Sequence, residues 1–241
     1  MPNWCDNNMR LYNQDTFKID ALEAEMQKEQ AEPFNHLRPR PADQEENWYD
    51  WNCNNWGTKW EASIIDWERT GDNEITIYAN TAWSPPISLY EFLTEEGWEV
   101  DAIYHEGGMG YAGTYTSAAG DDYYEYDITD KESIENLPSD VVDFAGLEDA
   151  HDEWMESERE ERLRELPRTE WYDGKVKPVR EGRYEIQTKD YQYDHYADWN
   201  GNDWGKTWND KKIKPTQWRG LIEEVTPADE QAILDDIIES N

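Results

Sequence analysis

The chain has 241 residues, enough for one principal domain and a smaller companion. Acidic residues number 56 against 22 basic, a net charge of −34, which argues against direct nucleic-acid binding because phosphate affinity comes from Lys and Arg displacing counterions. Only 37% of residues are hydrophobic, but 14 Trp and 15 Tyr supply enough large rings for a packed core and separate the chain from charged, disordered ones.

Asn8 to Asn13 alternate in polarity and predict a first strand. Asp15 or Thr16 can cap a helix running to about Lys28, with Phe17, Leu22 and Met26 on its apolar face. Pro33, Pro39 and Pro41 break regular structure between Ala31 and Asp43. From Glu45 to Asn55 the spacing of Trp48, Trp51 and Asn55 fits a short helix, ended by Gly57 in the left-handed region. Two strands follow, Trp60 to Trp67 and Glu74 to Asn80, across the turn residues Gly71, Asp72 and Asn73. Ser84 stands in N-cap position before a helix carrying Ile87, Tyr90 and Leu93, which stops at Gly97, and Trp98 to Tyr104 reads as the next strand. Strand, helix, strand, strand, helix, strand is the order of a ferredoxin-like split βαβ plait, an α+β fold with an antiparallel sheet and helices on one face, expected over residues 1–130.

The glycines from Gly107 to Gly113 do not make a phosphate loop. Such a loop needs a following helix, whereas Thr114 to Ser117 continues as strand and Tyr123 to Ile128 returns beside it; glycines in that setting mark a bulge or a close backbone approach. Residues 131–167 are expected as an acidic helical linker, in which Glu158 with Arg162 and Glu160 with Arg164 have the spacing of ion pairs along a helix. Residues 168–225 are dense in Tyr and Trp and predict a small β domain with strands at Gly182 to Thr188, Tyr191 to Trp199, Asp203 to Trp208 and Thr216 to Leu221. Thr226 to Glu230 is a capping box with Pro at the first helical position, opening a last helix over 226–241.

The pattern Trp-Asn-x-Asn-x-Trp-Gly-x-x-Trp occurs at Trp51 to Trp60 and again at Trp199 to Trp208. The first copy is expected to follow a helix. The second carries Asn200-Gly201, a two-residue hairpin signal, so shared letters need not mean a duplicated fold.

Four stretches, Met1 to Cys5, Trp56 to Trp60, Thr81 to Pro86 and Glu106 to Gly113, together resemble phage- and plasmid-borne proteins carrying a YubB-type ferredoxin-like domain, over roughly residues 1 to 155. That resemblance implies the plait and a mobile-element origin; it implies no settled activity. The segment after Lys177, with Gln217 to Leu221, is similar to small β modules of phage proteins.

Reaction chemistry has little support. His36, His105, His151 and His195 lack metal-ligand spacing, Cys5 and Cys53 form no paired motif, and no nucleophile elbow occurs, so neither an enzyme nor a cofactor is expected. With no apolar run of about eighteen residues, no membrane span is expected and the cytoplasm is the default compartment, with free thiols. The expected function is a phage or mobile-element accessory protein that binds a host protein with a basic surface through carboxylates such as Glu153, Glu156 and Glu160; nucleic-acid mimicry is one form such binding can take, and solubility or salt adaptation is the other reading of the acidity. One alternative is a small-ligand, carbohydrate or peptide site built on Trp56, Lys59, Trp60, Trp83 and Tyr111; another is a structural virion role.

Overall fold

The computed structural model describes residues 3–189, 191–206, 212–221 and 225–240. The chain divides into two units, Met1–Trp154 and Met155–Asn241. In the first, β1 (Trp4–Tyr12), α1 (Thr16–Met26), α2 (Pro33–Leu37), α3 (Trp48–Asn55), β2 (Ser63–Gly71), β3 (Glu74–Ala82), α4 (Ile87–Glu95), β4 (Glu99–Glu106), β5 (Tyr111–Thr116) and β6 (Gly120–Glu125) follow in order. Their sheet runs β2-β3-β1-β4-β5-β6 and every neighbouring pair is antiparallel. The order β2-β3-β1-β4 is that of the split βαβ plait, and β5 and β6 widen it at the β4 edge.

The core follows from strand alternation. Met9 and Leu11 of β1, Ile75 and Ile77 of β3, and Val100 and Ala102 of β4 share a face, onto which α1 sets Ile19, Leu22 and Met26 and α4 sets Leu89, Tyr90 and Leu93. Phe17 departs from its expected place: it lies in the first turn of α1, where Asp15 caps its N–H, and its ring is exposed. Ser84 does not cap α4. Pro86 holds that position, and the Ser84 hydroxyl donates to the Gly57 carbonyl instead.

The acidic stretch 131–167 is divided between the units. α5 (Lys131–Glu135) and α6 (Ser139–Ala145) belong to the first, and Ile134, Val141 and Leu147 are buried. α6 lies against β4 and β5. Ala112 points away from the face of Tyr104 and Tyr115 yet is fully buried, so β5 is covered on both sides at this point. α7 (Leu147–Glu165) runs through the division as continuous helix. In the second unit Arg164 pairs with Glu160 as its spacing predicts, but Arg162 reaches Asp236 and Arg159 reaches Glu230, both on α8 (Pro227–Glu239).

The second unit's sheet runs β7-β10-β8-β9, from β7 (Tyr172–Asp173), β8 (Gly182–Thr188), β9 (Tyr191–Trp199) and β10 (Gln217–Arg219). Ile186, Ala197, Trp199, Trp204 and Trp218 fill its core. The strand expected at Asp203 to Trp208 does not form over 203–206, and 207–211 lie outside the described residues. The turn expected at Asn200-Gly201 does form, with the Asn200 side-chain oxygen accepting the N–H groups of Asn202 and Asp203. The capping box at Thr226 and Asp229 is present in both directions.

Candidate functional site

The stretches Asn3-Trp4, Gly57 to Trp60, Thr81 to Ser84 and Glu106 to Tyr111 are far apart in sequence but meet at one end of the first sheet. The β1–β3 ladder carries Trp83 opposite Asn3, and the Trp83 N–H donates to the Asn3 carbonyl at 3.0 Å. The Tyr111 hydroxyl donates to the Trp83 carbonyl at 2.7 Å, and the Thr81 hydroxyl donates to the Ser84 carbonyl at 2.7 Å. From the loop after α3, Thr58 Oγ1 donates to the Ala82 carbonyl at 2.9 Å. Gly57 is required there: its φ is +86°, and a Cβ would stand 3.0 Å from the backbone nitrogens of Ile87 and Ser88.

These bonds hold Trp83 at φ +73°, in the left-handed region that a bulky side chain rarely enters. Its ring is 48% exposed, so burial of the side chain does not compensate the strain. Backbone strain of this kind persists only where the surrounding structure over-determines it, as these hydrogen bonds do. Beside it, Trp4 packs against Trp60 with centroids 6.2 Å apart, and the Lys59 ammonium lies 4.6 Å from the Trp60 ring and 5.6 Å from that of Tyr49. Trp4, Trp48, Tyr49 and Trp83 are all exposed. The result is a fixed group of rings at the surface with a single ammonium laid across two of them.

From Trp4 the exposed face of β1 continues through Asp6, Asn8 and Arg10. Asn8 stands opposite Tyr78, Asp66 lies beyond Tyr78 on β2, and Glu68 and Arg10 flank Thr76. Arg10 is held between Glu74 and Asp101 at 2.9 and 2.7 Å. The aromatic group therefore borders a sheet face rich in carboxylates.

The segment below the rings is tied by Glu61, whose carboxylate accepts the N–H groups of Phe34, Asn35 and Ala62 at 2.8, 2.9 and 3.1 Å. Burial pushes its carboxyl up to about 7, against the pull of those three donors. Because this folded value lies above the ordinary 4.5, the folded state holds the proton more tightly, and the stabilisation present below about pH 4.5 is lost as pH rises through 7. Glu61→Gln removes that dependence: in urea titrations between pH 4.5 and 8, the stability difference between wild type and variant changes by on the order of 3 kcal/mol. A constant difference across that range would mean that Glu61 does not titrate there.

The backbone donors of the glycine stretch are already used. Glu106 is buried and its side-chain oxygens accept the N–H groups of Gly108 and Met109 at 3.2 and 2.7 Å, so the donors a phosphate would use are occupied within the chain. Gly113 is a close-approach glycine, as expected. His105 Nε2 and the Tyr126 hydroxyl lie 2.6 Å apart, and burial draws the His105 pKa down. Among the described residues no group of three or more His, Cys, Asp or Glu is placed to hold a metal ion. Cys5 is a buried thiol pushed up to about 12 by burial, and Cys53 is half-buried and free.

Of the residues expected to bind, Lys59, Trp60 and Trp83 reach the surface group. Trp56 does not: it is 2% exposed, its indole N–H donates to the Arg38 carbonyl, and it packs on Phe34 and Trp51. Tyr111 is 7% exposed and acts from beneath, through its bond to Trp83. Glu153 is an exposed residue of α7 in the first unit, while Glu156 and Glu160 belong to the second and pair with Arg159 and Arg164. Trp4 and Tyr49 were not among the residues the sequence singled out; their signal was the aromatic density around Trp48 and at the N-terminus, without any mark of which rings face outward.

No family model matches the sequence. No curated protein matches it either. Among solved structures, the chain is similar to the crystal structure of a protein api92 from Yersinia pseudotuberculosis, described under the family model DUF1281, at 20% identity with a TM-score of 0.27. That match covers 44% of this chain and 39% of the other.

Proposed function

We propose that the chain is a non-enzymatic binding protein whose ring cluster around Trp83, with the carboxylate-bearing sheet face beside it, docks a protein partner through that partner's Lys and Arg side chains. The observation that carries this reading is Trp83 itself, locked at φ +73° by backbone and side-chain hydrogen bonds while about half of its ring faces solvent. Exposed Trp and Tyr serve as anchors in interfaces, and a cation is drawn both to ring faces and to neighbouring carboxylates. A net charge of −34 steers such a partner at long range. The resemblance to mobile-element proteins makes a host protein the natural partner. Mimicry of nucleic acid is the sharper form of this reading, supported by the row of Asp6, Asp66, Glu68 and Asp101 across the strands of one sheet face.

Trp83→Gly tests it. Glycine occupies the left-handed region at no steric cost, so the variant is expected to keep its unfolding free energy within about 1 kcal/mol of wild type. Immobilised wild type is expected to retain a basic protein from host lysate at low salt and release it as salt rises, whereas Trp83→Gly and the charge reversal Asp6→Lys with Glu68→Lys both lose it. Identical retained proteins on all three chains would overturn the proposal, and a large stability loss in Trp83→Gly would assign the ring to packing.

A further inference from the structure

The second unit contains an open cleft of about 780 Å³, within the range of small-molecule sites. Its lining carries six Lys or Arg side chains against four Glu, a balance opposite in sign to that of the chain. Arg168 and Arg183 both line it, and their guanidinium groups stand 5.8 and 5.5 Å from the centre of one ring, Tyr196. Arg168 is mostly buried and fixed, 3.5 Å from Glu185 and donating to the Leu163 carbonyl at 3.4 Å. Arg183 is 65% exposed, with Glu160 at 4.0 Å, and so can turn toward a ligand. On another wall Tyr172 stacks on Trp218 with centroids 4.7 Å apart and planes 24° apart, and the Trp218 indole N–H donates to the Val176 carbonyl. That bond sets the orientation of the stack, and Tyr172 remains 42% exposed.

From this geometry we infer that the cleft binds a small organic anion carrying a flat ring, its oxyanion set between Arg168 and Arg183 and its ring against Tyr196 or Tyr172. A guanidinium held in place and a second that can turn, 5.8 and 5.5 Å from one ring centre, offer the paired N–H donors that carboxylate, phosphate or sulfonate accepts. The aromatic walls supply the apolar area such a ligand needs. This site is independent of the partner surface of the first unit, and neither reading requires the other.

The probe is anilinonaphthalene sulfonate, a flat-ringed anion whose fluorescence rises on transfer from water, compared with the uncharged N-phenylnaphthylamine. Saturable binding of the sulfonate to the full chain is expected, with the uncharged analogue at least about tenfold weaker, as loss of a charge-assisted contact requires. Arg183→Glu, at an exposed position, is expected to weaken the sulfonate at least about tenfold while leaving the near-ultraviolet circular dichroism unchanged. Tyr196→Leu weakens both dyes, and Trp83→Gly weakens neither. Equal affinity for the two dyes, or an unchanged sulfonate affinity in Arg183→Glu, would overturn the inference, as would the absence of saturable binding.

Discussion

Replacing Trp56 by Ala is expected to lower the free energy of unfolding by about 3–5 kcal/mol, the range for removing a buried aromatic side chain. The ring is 2% exposed and joins Phe34 at 6.0 Å and Trp51 at 5.6 Å in the main core. Its loss opens a cavity that the surrounding backbone cannot close, because that backbone is pinned from several sides. Arg38 donates to the carbonyls of Asn55 and Ser88 and lies over Phe92, while the Leu89 N–H donates to the Trp56 carbonyl. The Arg38 carbonyl would in addition lose the indole donor that now satisfies it. Trp48→Ala provides the contrast: that residue is 37% exposed on α3 and its ring meets Tyr49 at 5.9 Å, so its removal should cost about 1 kcal/mol. Urea denaturation of both variants measures the difference, and comparable losses in the two would contradict the division of these tryptophans into core and surface.

Gly113→Ala is the second change with a large expected effect, a loss of about 3 kcal/mol or failure to fold. A Cβ at this position would stand 2.4 Å from the Asp122 carbonyl oxygen and 2.4 Å from the Tyr104 hydroxyl. Neither neighbour can retreat. Asp122 belongs to the β5–β6 ladder, and Tyr104 is fully buried with its hydroxyl bonded to Asp121 at 2.7 Å. Gly120→Ala isolates the steric contribution, because its φ is +85° but no atom lies within 4 Å of the added carbon; it should cost about 1 kcal/mol, the price of a side chain in the left-handed region. A melting temperature for Gly113→Ala at or above that of Gly120→Ala would show that the strands separate more easily than this packing implies.

The parts of the fold legible in the sequence are those decided by near neighbours in the chain. The plait order could be read because alternation in β1, β3 and β4 and the helical spacing of Leu22 and Met26, or Tyr90 and Leu93, are local patterns that the core merely ratifies. Turn chemistry at Gly57, Gly97 and Asn200-Gly201 is local in the same sense, and all three glycines take positive φ. The repeated tryptophan pattern shows the limit of lettering: its first copy ends helix α3 and its second leaves strand β9.

The candidate site was legible only as a set of unusual stretches. Nothing in the chain order places Tyr111 beneath Trp83, or Asn3 beside it; strand pairing across more than seventy residues does so, through the β1–β3 ladder and the wide sheet that brings β5 alongside β4. Composition by itself determined the acidity and the dependence on aromatic burial, since these are sums over residues. Which rings are core and which are surface, which carboxylates form a face, and which arginines gather around one tyrosine were decided by tertiary structure alone, because exposure and mutual distance depend on what the rest of the chain covers.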